Sequence, residues 1–132
     1  MEVMPRRIPI VVRRTAAEVA RVGAVRVMNG LRHACRPVLC AASGSSPIPL
    51  YTELARLMHR ELTVAHKTSV VKLDEWIGSE LHEPGSCHHA IRTQLVEPAG
   101  VPPENYIGFD SAPECVQGEP ERIDRFLEKW GP

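Results

Sequence analysis

An α/β fold on a parallel sheet is what this 132-residue sequence predicts, and three observations carry the prediction. Short apolar runs, too brief for helices, recur at residues 38–42 and 68–73. Each run is bounded by turn residues. Each is also followed by a stretch with helical or loop-then-helix patterning. Strands that alternate with helices pair in parallel through right-handed crossovers.

The elements follow in order. Residues 1–14 form an N-terminal arm in which Arg6, Arg7, Arg13 and Arg14 have little acid around them, a faint transit-peptide signal. The alternation of Ile8, Ile10 and Val12 with other residues is the stronger signal and predicts an edge strand with a solvated face. Thr15 and Glu18 fit a capping box that opens a helix to about Arg32, with Val19, Val22, Val25 and Val27 along it. Pro37 breaks that pattern. Residues 38–42 are then a buried parallel strand and residues 48–61 a second helix, with Leu50, Leu54, Leu57 and Met58 on one face. A strand at 68–73, an irregular loop at 74–85 and a helix at 86–96 repeat the pattern, and Pro98, Pro102 and Pro103 end that helix. Residues 106–109 form a fourth short strand, and 119–129 a last helix that turns Ile123, Phe126, Leu127 and Trp130 inward. Burying Val38, Leu39, Val70, Val71 and Leu73 contributes roughly 1.5–3 kcal/mol each before chain entropy is charged.

The length and this pattern fit one domain over residues 1–132. A closing helix with no strand after it leaves a sheet face unfinished, so the expectation is an incomplete version of a longer fold, truncated after about four strands. The apolar surface left open predicts self-association, as in a homo-oligomer, or poor solubility.

Composition narrows the function. Sixteen basic residues balance sixteen acidic ones, so no global field attracts nucleic acid or a membrane surface. A hydrophobic share of 43% with 24% charged residues is that of a soluble globular protein, and no run approaches the roughly 20 apolar residues that span a bilayer. The reading is a cytoplasmic protein. Cys35, Cys40, Cys87 and Cys115 form no CxxC pair, and without a signal peptide buried reduced thiols are expected. Cys87 with His82, His88 and His89 matches no zinc spacing, and adjacent helical histidines point apart. Solvated or helix-start histidines are expected, with no metal and no cofactor.

Two loops could carry chemistry. Ser43, Gly44, Ser45, Ser46 and Pro47 join a strand to a helix, where open parallel sheets bind ligands. A helix N-terminus there offers N–H groups and a positive dipole end to a phosphate. Gly44 permits close backbone approach, and Pro47 suits a first helical turn. The same residues equally describe a plain Ser/Gly turn. The second loop follows Lys72 with Asp74, Glu75 and Trp76. An aspartate of ordinary pKa, about 3.9, is ionised at neutral pH and ready to accept a proton. The bland alternative makes Asp74 a turn cap and Glu75 a solvated acid. Lys72, inside a buried strand, needs a carboxylate partner or an outlet to the crevice.

These residues resemble a known family. The segment from Val38 through the Ser43–Pro47 loop to Tyr51 is similar to the strand, loop and helix of the glucosamine-6-phosphate deaminase family. Residues 71–78 resemble that family's strand ending in Asp-Glu-Tyr/Trp, residues 84–87 its Pro-x-Ser/Thr segment, and residues 102–105 its Pro-x-Glu-Asn turn. The wording at Lys72–Trp76 and at Pro84–Cys87 is closer to the galactosamine-6-phosphate isomerase branch. The match runs from about Thr15 onward. It implies a doubly wound sheet with helices on both faces and an amino-hexose 6-phosphate as ligand, held by Ser43, Gly44, Ser45 and Ser46. It assigns catalysis to Asp74, which moves a proton from C2 to C1 of the opened sugar, with Glu75 the acid beside it. The product is a ketose 6-phosphate, with ammonia released. The family's second catalytic cluster, a glycine-rich loop with a histidine and an Asn-Glu-Pro segment, has no counterpart up to Pro132. A single general base supplies about 10²–10⁴-fold, far short of a whole enzyme's acceleration, so this chain alone is expected to be a weak or inactive enzyme. Two rivals stand beside it: a 6-phosphogluconolactonase-like hydrolase, which lacks Trp76 and the Pro84–Cys87 segment, and a non-catalytic sugar-phosphate-binding module.

Overall fold

The computed structural model describes residues 9–112, 114 and 116–130, with nothing described of the Trp130 side chain. Six helices and three strands follow in the order α1 (Ala16–His33), β1 (Val38–Ala41), α2 (Ile48–Arg60), α3 (Leu62–Lys67), β2 (Ser69–Lys72), α4 (Cys87–Ile91), α5 (Glu97–Ala99), β3 (Tyr106–Ile107) and α6 (Glu119–Trp130). A π turn, Arg92–Val96, joins α4 to α5.

The sheet is all-parallel in the order β1-β2-β3, with Val38 opposite Ser69 and Ala41 opposite Lys72, then Val70 opposite Tyr106 and Val71 opposite Ile107. Because side chains alternate across a strand, this register puts Leu39, Ala41, Val70 and Tyr106 on one face. There they meet Met28 and Leu31 of α1, Leu54 and Met58 of α2, and Ile91 and Leu95 of the α4 region. Cys40, Val71 and Ile107 take the other face, where Val71 is buried and Cys40 exposed. Helix α6 spans that side: Arg122 donates to the Gly108 carbonyl beyond β3, and Arg36, ahead of β1, donates to the Lys129 carbonyl. Helices on both faces of a parallel sheet are thus the architecture, with three strands among the described residues.

The cap of α1 forms as the sequence implies, Thr15 Oγ1 accepting from Glu18 N at 3.2 Å. The face does not. Ala20, Ala24, Met28 and Leu31 are buried, whereas Val19 and Val25 are about half exposed. Close approach of two backbones decides this: a Cβ on Gly23 would lie 2.8 Å from Leu50 Cδ1 of α2, so small residues fill the interface and valines are turned out.

Other corrections concern edges. Residues 9–14 form no strand, and Ile10 and Val12 are 86% and 80% exposed because nothing pairs with them; Ile8 lies outside the described residues. β2 ends at Lys72, which leaves Leu73 in solvent rather than in the core. β1 is only partly buried. Cys35 and Cys40 are exposed free thiols, and only Cys87 is buried; Cys115 is outside the description. Pro98 does not end the helix at residue 96. It lacks an N–H for Gln94 and crowds that carbonyl, and the chain accommodates it by widening into the π turn and continuing to Ala99. Gly100, at φ 75°, then stops it in the left-handed region. No helix among the described residues is long and apolar enough to cross a membrane.

Candidate active site

Beyond the carboxyl end of β1 the chain turns through the serine loop. Tyr51, buried in α2, donates its hydroxyl to the Ala42 carbonyl at 2.6 Å and fixes where the loop begins. Ser43 Oγ donates to Cys87 Sγ at 3.0 Å, tying the loop to the start of α4. Gly44 stands at φ 118°, which only glycine adopts freely. Ser45 and Ser46 are exposed, and no side chain caps α2, whose first turn points its N–H groups beyond the sheet. A cleft of about 310 Å³ opens here, lined by Ser43, Gly44, Ser45, Trp76, Ser86 and Cys87. Ser46 is not among its walls.

At the end of β2, Lys72 is fully buried and does find a carboxylate. Its Nζ donates to Glu75 Oε2 at 2.6 Å and to the Phe109 carbonyl at 2.9 Å. Glu75 is the hub of the loop. Its carboxylate also accepts from the amides of Trp76 (3.0 Å), Cys87 (3.0 Å) and His88 (2.8 Å), so it caps α4 from outside while Ser86 Oγ accepts from His89 N at 3.0 Å. Burial would push Glu75 up, but Lys72 and these three N–H groups overcome it and hold the carboxyl at about 2. A carboxylate with four donors on it neither is solvated nor has a lone pair directed at a ligand. The donors of the α4 N-terminus are likewise taken.

Asp74 is exposed and bound to nothing among the described residues. It sits with Leu73, Glu75, Phe109 and Glu119 in a hollow of about 330 Å³ beside the serine cleft. The two motifs are therefore brought to the same end of the sheet but into adjoining depressions, with the Glu75–Trp76 turn between them. Asp74 is still felt in the cleft. Burial pushes the Cys87 thiol up, the Ser43 hydrogen bond opposes this, and the charges of Glu75 and Asp74 add to the rise. Cys87 is consequently a protonated thiol at neutral pH and no nucleophile.

His88 and His89 stand at the start of α4, the helix-start placement expected of them, and His82 is exposed. His88 stacks on Tyr106 (ring centroids 4.9 Å apart) and meets His82 edge-on at 5.3 Å. Burial first, then Lys72, His82 and Arg92, lower its pKa to about 4 against a weaker pull from Glu75, so His88 is neutral at pH 7. His89 engages the His82 carbonyl through Nδ1 at 3.0 Å. No metal-holding group of His, Cys, Asp and Glu exists among the described residues.

Two residues that sequence reasoning passed over hold the site. Tyr51 is one, and its only signal is an aromatic one turn into the helix. Gly108 is the other: a Cβ there would lie 2.3 Å from Lys72 Cε and 2.6 Å from its Cβ, so the lysine stem lies directly on this backbone. Gly108→Ala should therefore displace the buried lysine and cost about 1–3 kcal/mol, the range for overpacking, in urea unfolding. Unchanged stability would show that the stem relocates freely.

Comparison with known proteins fits this geometry. No protein-family model matches the chain. The fold is similar to part of a solved structure described as a monomeric glucosamine-6-phosphate deaminase of the NagB superfamily, with a TM-score of 0.77 over 89% of this chain and 48% of that one, at 21% identity. In sequence, the chain is 32% identical over 94 residues to a glucosamine-6-phosphate deaminase of Streptomyces avermitilis, covering 71% of this chain and 36% of the relative. It is also 29% identical over 107 residues to glucosamine-6-phosphate deaminase 1 of Giardia intestinalis, covering 81% of this chain and 40% of the relative. These curated matches support the glucosamine-6-phosphate deaminase family for this chain. It spans little more than a third of the length of the curated relatives it matches.

Proposed function

We propose that this chain binds an amino-hexose 6-phosphate and contributes the proton-transfer carboxylate of an aldose–ketose isomerisation with ammonia release. One observation carries the reading: the Ser43–Ser45 loop and the Asp74 carboxylate reach the same end of a parallel sheet, on either side of a turn held rigid by Glu75. The exposed hydroxyl of Ser45, the backbone at Gly44 and the uncapped first turn of α2 supply donors for a phosphate. The Ser43 hydroxyl is committed to Cys87 and acts by shaping the loop. Asp74, free of hydrogen bonds among the described residues, is the base that takes the C2 proton and returns it at C1; the C2 imine this leaves is hydrolysed by water, whose oxygen becomes the ketose carbonyl as the C–N bond breaks and ammonia departs. Glu75 is a positioning residue: it holds the Asp74–Trp76 turn against α4. The substrate is a soluble sugar phosphate of either hexosamine epimer, and neither step calls for a metal or cofactor.

The test is formation of ammonia and ketose 6-phosphate from glucosamine- and galactosamine-6-phosphate, with Asp74→Asn as the comparison. Loss of a positioned general base should lower turnover by about 10²–10⁴-fold. Equal turnover in the variant would remove Asp74 from the mechanism. Saturable binding of the sugar phosphate without turnover would assign the chain to binding instead.

A further inference from the structure

The turn that follows β2 leaves three large apolar side chains in water: Leu73 is 53%, Trp76 72% and Ile77 66% exposed. Apolar residues exposed singly need no explanation, but a concentration of them within residues 73–77 does. This run is the ridge between the two depressions. Trp76 lines the serine cleft, while Leu73, Asp74 and Ile77 line the adjoining hollow.

Trp76 is held at its backbone and free at its ring. Its backbone N–H donates to Glu75 Oε1 at 3.0 Å, and its carbonyl accepts from Ser79 N at 3.1 Å and Ser79 Oγ at 2.8 Å. Among the described residues the indole N–H has no acceptor, and no aromatic ring stacks on the indole. A tryptophan ordinarily buries about 150–250 Å² and finds a partner for its N–H. Here a fixed backbone presents the ring and its donor, unused, at the cleft wall.

Given the phosphate and proton-transfer assignments proposed above, on which this rests, the substrate has to cross that ridge. Its phosphate lies among the donors of Gly44 and Ser45, and its C2 lies at Asp74 in the next hollow. A hexosamine phosphate arrives as a closed ring, whereas Asp74 acts on the opened chain. A pyranose offers rigid C–H bonds on a flat face. An open chain turns hydroxyls in every direction and has rotors to freeze before it can lie flat. We infer that Trp76 is the platform for the closed ring of the sugar phosphate. The indole face takes the ring C–H bonds, the indole N–H donates to a ring hydroxyl, and opening of the ring releases C1 and C2 from the ridge toward Asp74. Trp76 thus sets affinity for the substrate as it arrives and not for the opened chain that reacts.

Isothermal titration tests this with three ligands that are not turned over. They are the methyl glycoside of glucosamine 6-phosphate, whose ring cannot open, 2-amino-2-deoxyglucitol 6-phosphate, which has no ring, and inorganic phosphate. Trp76→Ala should weaken the closed ring by about tenfold and leave the other two unchanged. Trp76→Phe, which keeps a smaller ring face, should recover part of the loss. Replacing so exposed a side chain leaves the fold intact. The parent's tryptophan emission should move to shorter wavelength with the closed ring, and Trp76→Phe should abolish that movement. Equal weakening of all three ligands would show that Trp76 only shapes the loop, and equal weakening of ring and open chain would show no preference for the ring; either overturns the platform. A closed ring indifferent to Trp76→Ala but weakened by Ser45→Ala would overturn it and leave the proposed function standing. A closed ring dependent on Trp76 but indifferent to Ser45→Ala would do the reverse. The absence of saturable binding by either sugar phosphate would overturn both.

Discussion

Glu75→Gln should lower the unfolding free energy by about 3–5 kcal/mol, the largest effect of any single polar substitution expected in this protein. That is the range for breaking a buried ion pair and stranding one partner. The variant keeps the shape of the side chain but loses its charge, so Lys72, fully buried, is left with neutral acceptors only, the Phe109 carbonyl and at most one amide oxygen. The amides of Cys87 and His88 also lose a charged acceptor at the start of α4. Urea unfolding followed by far-ultraviolet circular dichroism measures the change. Lys72→Met/Glu75→Gln should recover much of the loss, because the uncompensated ammonium is gone. A single variant within 1 kcal/mol of the parent, on the order of an exposed pair, would mean that Lys72 reaches water and the hub is weak.

Acid should unfold the chain in two stages. His88 titrates at about 4 in the native state against an ordinary 6.5. Between those values the unfolded chain takes up a proton that the native protein refuses, so stability falls as pH drops from about 6.5 to 4. Glu75 titrates at about 2 against 4.5. Its stabilising contribution is complete above 4.5 and is lost as pH falls toward 2. At about 1.4 kcal/mol per pKa unit, each stage is of order 3 kcal/mol. Glu119, lowered by Arg122, adds to the second stage. Urea midpoints measured across this range should decline from near-neutral pH, and His88→Phe should flatten the upper stage while sparing the lower. A parent protein with level stability between pH 6.5 and 4 would show His88 to be protonated in the fold.

Much of the architecture could be read from residue order. β1, β2 and α2 lie within a residue or two of where apolar runs and turn residues place them. Lys72 announced its own partner, because an ammonium inside a strand cannot be left alone. What escaped depends on partners in space. Val19 and Val25 look like a core stripe, but the depth of the α1–α2 contact at Gly23 and Leu50 selects alanines instead. Ile10 and Val12 alternate as a strand should, yet alternation supplies no neighbouring strand to pair with. α3 carries only a short pattern, Val64 and Ala65, below what periodicity can register. At the site, the serine loop and the two acids were legible as motifs. Their division between adjoining hollows was not, and nor was Glu75's engagement by four donors, since both arise from the path of residues 76–87.

The buried lysine also constrains the order of assembly. Desolvating an ammonium in the central strand is prohibitive until its acceptors are in place. Those acceptors come from three residues and from 37 residues downstream. β2 therefore cannot settle between its neighbours as an early, locally formed hairpin might. It waits for the 74–87 loop and the chain after β3 to close around Nζ, a long-range closure of the kind that slows folding. Sheet and loop thus complete as one event, and a molecule whose sheet is closed has its serine and aspartate loops already in position.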